Sequence, residues 1–255
     1  MVYLPIGRYQ AVDVARVIIK SKDGRGYLAD SYGWTWRGFA FKLLLTLIVL
    51  PFFLLLVYSL PFMRPISTLM VADYALLQDV DRRWVGIDEM APVLVNSVMM
   101  AEDGQFCSHG GVDWHQISIV LDGVGDGGPS RGASTITMQT VKNLFLWNGR
   151  SYVRKGLEFP LALAADAILS KHRIMEIYLN IAEWGPGIYG VEAAAQHYFN
   201  RSASNLNARQ AALLAVTLPN PALRNPAKPT RNLNRLSRIV AGRAARAGAY
   251  VTCLR

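Results

Sequence analysis

The stretch SVMMAEDGQFCSHGGVD, residues 97–113, ends an apolar run in two adjacent carboxylates, Glu102 and Asp103. A carboxylate at the margin of an apolar segment is the raw material of a general base, because lost hydration raises its pKa toward neutral pH. At helical spacing Val95, Val98, Met99 and Glu102 share one face, which puts Glu102 on the apolar stripe. Asp103 is rotated by one residue and aligns with Asn96 on the polar side. Spacing alone is equally compatible with a helix end whose Glu102 is half-exposed and inert. Phe106, Cys107 and His109 follow, then a Gly-Gly turn.

A second block, GASTITMQTVKNLFLWNGRSYVRKGLE (132–158), gathers Lys142, Arg150, Arg154 and Lys155 with the hydroxyls of Ser134, Thr135 and Thr137 and the amide of Gln139. Thr135, Gln139 and Lys142 fall on one helical face. Four cations among hydroxyl donors suit a phosphate or pyrophosphate, and an ordinary basic surface is the plainer alternative. Arg154 and Glu158 stand at i, i+4, which by itself reads as a surface ion pair of little energetic worth.

The elements that must position these groups are mostly helical. Residues 65–90 read as a connector and a polar helix-like stretch. A helix is expected from Ile87 to Glu102 with Pro92 in its first turn. The glycine-rich segment 122–134 argues a mobile loop. STITMQTVKNLFLW reads as a helix, NGR (148–150) as a turn, and 151–181 as one helical stretch made irregular early by Gly156 and Pro160. WGPGIYG breaks the chain, VEAAAQHYF and NARQAALLAVTL read as two further helices, and PNPALRNPAKPT cannot be helical. Residues 231–247 read as a basic helix. Alternating strand patterns are scarce, so the part beyond residue 64 is predominantly α.

Residues 43–63, LLLTLIVLPFFLLLVYSLPFM, hold no charge in 21 positions. About 20 apolar residues cross a bilayer as a helix, and proline is tolerated there. A cleaved signal is the weaker alternative, because its core is shorter and begins nearer the start. Residues 1–42 carry seven Lys/Arg against three acids, which puts this head in the cytoplasm and residues 65–255 outside. The net charge is +9, with ten Lys/Arg and no acid after Glu192. That end is either a solvated surface or one attracted to anionic lipid or polyanionic substrate. An extracytoplasmic location argues against nucleic acid. Cys107 and Cys253 either bridge or remain two thiols, Cys253 lying close to a terminus expected to fray. Neither has neighbours spaced for a metal site.

In series, these blocks resemble a known family. AEDGQFCSHGGVD looks like its ED-x-x-F-x-x-H-x-G motif, and GASTITMQTVKN like its G-[GA]-S-T-I-T-x-Q-x-x-K-N motif. RKGLE and SKHRIMEIYLN look like R-K-x-x-E and S-K-x-x-I-x-E-x-Y-L-N. Over about residues 75–225 the chain is similar to the monofunctional biosynthetic peptidoglycan glycosyltransferases, stand-alone relatives of the glycosyltransferase domain of bifunctional penicillin-binding proteins.

The resemblance implies a mainly α, lysozyme-like glycosyltransferase domain after a single N-terminal transmembrane helix. The organisation expected is a basic cytoplasmic head (1–42), the membrane helix (43–63), a connector (64–74), the catalytic domain (75–225) and a basic C-terminal segment (226–255). It implies polymerisation of lipid II into β-1,4-linked glycan, with inversion at the donor anomeric carbon and release of undecaprenyl pyrophosphate. Glu102 takes the role of base. Glu158 matches a second carboxylate that organises the leaving pyrophosphate, with a divalent ion (Mg or Mn) as an option and no obligatory cofactor. Lys142, Arg150, Arg154 and Lys155 match the pyrophosphate and donor-site cations. Ser134, Thr135 and Gln139 match the polar wall of the donor site, while Asp103, Phe106 and His109 match residues shaping the cleft. Asn180 matches a structural position.

Three positions depart from the family pattern: Met138-Gln139 stands for Gln-Gln, Asp166 for a common Glu, and Pro160 follows Glu158 by two residues. The partners implied are lipid II, the growing glycan strand, membrane lipid, and penicillin-binding and division proteins, in a bacterial inner membrane with the catalytic domain periplasmic. No S-x-x-K occurs, so no transpeptidase domain is expected. A lytic muramidase and an inactive membrane scaffold are the competing readings. The first needs no pyrophosphate cations, and the second needs neither glutamate.

Overall fold

The computed structural model describes residues 18–20, 26–28, 36–124, 133–149 and 151–254. It divides into two units, residues 1–48 and 49–255. In the first, β1 (Ile18–Lys20) pairs antiparallel with β2 (Gly26–Leu28). Helix α1 (Trp36–Tyr58) begins in the first unit and ends in the second. It is long and apolar enough to cross a membrane, and its side chains are largely exposed rather than packed, consistent with a single-pass anchor. The apolar run was expected to be helical over 43–63. The helix instead starts at Trp36 and stops at Tyr58, where the Ser59 amide bonds Leu55 O and the chain turns ahead of Pro61.

The second unit is a helical body. Helix α2 (Thr68–Ala75) is capped by Ser67. The single helix expected over Ile87–Glu102 is a 3-10 turn (Ile87–Glu89) and then α3 (Pro92–Glu102). The break precedes Pro92, whose ring disfavours a helical Ala91, while Pro92 itself suits the first helical position. Helix α4 (Trp114–Val124) extends into the glycine-rich stretch; residues 125–132, the rest of the expected mobile loop, lie outside the described residues.

Helices α5 (Ile136–Phe145), α6 (Tyr152–Ile168) and α7 (Lys171–Ile181) follow, with α5 packed on both α6 and α7. The one stretch expected over 151–181 is thus two helices. Leu169 and Ser170 are extended between them, and the Ser170 hydroxyl accepts from Arg173 N to start α7. Pro160 lies inside α6 without ending it.

WGPGIYG is a tight strand pair, β4 (Glu183–Gly185) antiparallel to β5 (Ile188–Tyr189), and β3 (Asp81–Arg82) joins β5 in parallel. Helices α8 (Val191–Phe199) and α9 (Ala208–Ala215) follow, the latter opened by an Asn207/Gln210 capping box.

Helix α10 (Arg231–Ala245) packs against α3 and α9, and a 3-10 turn (Gly248–Leu254) packs against α7. The segment after 226 is therefore built into the helical body rather than appended to it. The turn up to Leu254 is held to the body: Val251 is buried, and Cys253, expected near a fraying end, is bridged to Cys107 across 146 residues with a Cα–Cα distance of 5.5 Å. The core centres on Trp184, Tyr178, Tyr189 and Phe106.

Candidate active site

Leu94, Val95, Val98 and Met99 anchor α3 in the core, and Glu102 is its last residue. The carboxylate is delivered at the lip of a cavity of about 700 Å³ lined also by Asp103, Gln105, Ser134, Thr135, Arg243 and Tyr250. Burial pushes the Glu102 carboxyl above the usual glutamate value. A hydrogen bond from Gln139 and the charges of Arg224 and Lys142 pull the other way, and Asp103 adds to the rise.

Asp103 is not on the polar side. It caps α3 with φ −157° and ψ 79°, so a helical projection no longer applies to it. It is buried, and its Oδ2 accepts from Ile136 N at 2.9 Å. His109 Nε2 lies 3.0 Å from both of its oxygens. Asp103 thus joins the end of α3 to the start of α5, where unpaired amides favour an anion. Thr135 completes that junction: its hydroxyl donates to Gly111 O at 2.6 Å and accepts from Met138 N at 3.1 Å. Gly111 has φ +82°, and a Cβ there would meet Ala162 O at 2.5 Å, so only glycine lets this turn lie against α6. Phe106 is fully buried and supports the cleft from the core.

One turn into α5, Gln139 donates from Nε2 to Glu102 Oε2 at 2.9 Å. Its Oε1 accepts from the Tyr178 hydroxyl at 3.0 Å. The same residue lines a second cleft of about 210 Å³, with Lys142, Asn148, Tyr178 and Glu183. Gln139 therefore links the two clefts. Burial pulls the Lys142 ammonium below the ordinary lysine value, opposed chiefly by the charge of Glu158.

Glu158 is not a surface residue. It is 3% exposed and receives an Arg154 guanidinium N–H on one oxygen and Lys155 Nζ at 2.8 Å on the other. Lys155 also donates to Ser134 Oγ at 2.6 Å, and Arg154 Nε to Gly149 O at 3.0 Å. Packing of α6 on α5 buries Glu158, while Arg154 and Lys155 stay partly exposed, and Pro160 leaves the cluster intact. Arg150 lies outside the described residues. Both Glu158 oxygens are engaged by cations, and among the described residues no cluster of three His, Cys, Asp or Glu could hold a metal ion.

Four residues escape the sequence reading. Tyr178 orients Gln139. Lys171 donates to His109 O at 2.7 Å, pairs with Asp166 at 2.5 Å and sits 4.6 Å from the Phe106 ring centre. Glu183, raised by burial and by Asp73, lies on the second cleft with Lys142. Arg224 acts on Glu102 through charge. Tyr178 and Lys171 fall within SKHRIMEIYLN, where their types were legible but their targets on α5 and in the 106–109 turn were not. Asn180 is structural: its side chain bonds Val85 N and O and Glu176 O.

Comparison with known proteins agrees with this architecture. The model of the transglycosylase family matches residues 68–245, which includes α10. A biosynthetic peptidoglycan transglycosylase of Brucella suis biovar 1 (strain 1330) is 80% identical over 216 residues, covering 85% of this chain and 96% of the relative. Proteins of the same name from Agrobacterium fabrum (strain C58 / ATCC 33970) and Rhizobium meliloti (strain 1021) are 62% and 58% identical. The first pair covers 83% of this chain and 93% of the relative, the second 86% and 94%. A glutamate held between two polar clefts, on a helical body matched along most of its length, accords with these relatives: the chain belongs to the transglycosylase family and is a glycosyltransferase.

Proposed function

We propose that the protein polymerises lipid II into β-1,4-linked peptidoglycan glycan, with Glu102 as the general base. The observation that carries this reading is the Glu102–Gln139 bond at the junction of two clefts, one of which also holds Lys142. The acceptor 4-hydroxyl gives its proton to Glu102 as its oxygen bonds the donor anomeric carbon. The bond from that carbon to the pyrophosphate breaks, and its electron pair leaves with undecaprenyl pyrophosphate. Attack opposite the leaving group inverts the carbon.

Burial suits Glu102 to this task, because a carboxylate with a raised pKa is a stronger base yet still ionised near neutrality. Negative charge grows on the pyrophosphate as the bond breaks, and Lys142, Arg154 and Lys155, joined by Arg150, stabilise it. Glu158 holds Arg154 and Lys155 in position. Ser134 and Gln139 form the polar wall of the donor site, Thr135 holds the start of α5 behind them, and Asp103 and His109 fix the cleft around the base. Each Glu158 oxygen accepts from a cation of its own helix, so among the described residues this carboxylate serves Arg154 and Lys155, and no step is routed through a divalent ion.

The lipid-linked substrate stays in the bilayer, which is why the enzyme carries the α1 anchor. The basic head lies in the cytoplasm and the catalytic body on the periplasmic face of the bacterial inner membrane. Linear glycan requires a separate cross-linking activity, so penicillin-binding and division proteins are the partners that fit. A glutamate in a lysozyme-like body also suits a lytic muramidase, but a cation pair ordered by the buried Glu158 has no use there. Purified protein incubated separately with lipid II and with mature sacculi separates the two. Polymer from the first is expected; muropeptides released from the second, without polymer, would overturn the reading.

A further inference from the structure

The larger cavity has a wall that the reaction described above does not use. Arg243, Arg246 and Tyr250, supplied by the end of α10 and the 3-10 turn after it, line the cavity together with Glu102, Ser134 and Thr135. Arg243 lies in the last turn of α10 and Arg246 is its C-cap residue, and both reach the cavity. Three carboxylates line the same cavity, yet among the described residues neither arginine makes an ion pair. Glu102 is engaged by Gln139, Asp103 by His109 and Ile136, and Asp113 accepts from Gln116 N. No acid follows Glu192 in the chain, so the C-terminal segment brings no counter-charge of its own.

The wall is also fixed in place. Val251 is buried just past Tyr250, and Cys253 is bonded to Cys107, in the turn that follows Glu102. A solvated basic face needs no such tether to the catalytic turn. Arg235, by contrast, bonds Asn232 on its own helix and does not line the cavity.

We propose that Arg243 and Arg246, with Tyr250 beside them, form a subsite that binds an anionic group of the acceptor substrate while its hydroxyl faces Glu102. This rests on the lipid II reading. The donor's pyrophosphate is met by the separate Lys142, Arg154 and Lys155 set, so a second anion site serves the second substrate molecule. A guanidinium pair recognises carboxylate and phosphate alike. Stem-peptide carboxylates and the acceptor's own pyrophosphate are therefore the two sources of that anion.

The test uses the full-length enzyme in bilayers and two substrates: lipid II, and a lipid-linked disaccharide whose peptide is trimmed to one amidated residue. The double variant R243Q/R246Q is compared with the parent and with R235Q/R238Q, which removes equal charge from α10 outside the cavity. Melting curves confirm that each is folded. The expected result is a KM for lipid II raised about tenfold in R243Q/R246Q, with the loss falling on KM rather than kcat, and no matching rise in R235Q/R238Q. If the rise vanishes with the trimmed substrate, the subsite holds peptide carboxylate; if it persists, it holds the pyrophosphate. An unchanged KM, or an equal rise in R235Q/R238Q, overturns the subsite while the parent still polymerises lipid II. A parent that fails to polymerise overturns the functional reading and the subsite with it.

Discussion

Replacing Gln139 with alanine removes the one side-chain hydrogen bond that Glu102 receives among the described residues, donated from Nε2 at 2.9 Å. That bond favours the ionised form, so its loss moves the Glu102 pKa further up, in the direction that burial already drives it. A hydrogen bond to a charged group contributes about 1.5–3 kcal/mol, and the Glu102–Gln139 bond is partly rather than fully buried, so the lower end applies. About 1.4 kcal/mol is a factor of about ten. The base works only when ionised. On the acid limb of the pH profile, kcat/KM of Gln139→Ala should therefore lie about tenfold below the parent at the same pH, beyond any constant factor. Well above both pKa values the carboxylate is ionised in each protein, and this part of the deficit closes. Initial rates of polymerisation with fluorescent lipid II across the pH range measure both limbs. Tyr178→Phe, which frees the Gln139 carbonyl, should move the acid midpoint the same way by a smaller amount. A deficit that stays constant with pH, with an unmoved acid midpoint, would refute the argument and leave Gln139 as a substrate contact only.

Reduction of the Cys107–Cys253 bridge should destabilise the catalytic body. Closing a loop of 146 residues removes about 5 kcal/mol of unfolded-state entropy in the chain-entropy treatment, and native bridges typically return about 2–5 kcal/mol. Denaturant melts with and without reductant test this, and coincident midpoints would contradict it. Gly111→Ala should cost about 2 kcal/mol or more, from both the positive φ and the contact with Ala162 O. Thermal melting reads that loss, and an unshifted midpoint would show that the turn can move away from α6.

What the sequence made legible followed from local rules. Apolar spacing in α3 placed Glu102 correctly, because Val95, Val98 and Met99 are buried where the pattern puts them. The same projection misplaced Asp103, since it was carried one residue past the end of the helix at Glu102. Glu158 looked like half of a surface pair because i, i+4 spacing does not reveal a neighbouring helix; packing of α6 on α5 buries it. The Leu169–Ser170 break lay hidden in an apparently continuous helical stretch, although Ser170 is a good cap. The Tyr178–Gln139 contact spans 39 residues and the disulfide 146, and no local period reports contacts at those separations. The wall formed by Arg243, Arg246 and Tyr250 belongs to the same class: its charge was visible, its place beside Glu102 was not.

The central claim is that Glu102 takes the acceptor's proton. Glu102→Gln preserves size and removes the basic oxygen. With lipid II in bilayers, this variant should lose polymer formation by at least about 100-fold, the scale of a general base, while its lipid II affinity and melting temperature stay close to those of the parent. Polymer formed at a rate within a few-fold of the parent would contradict the account.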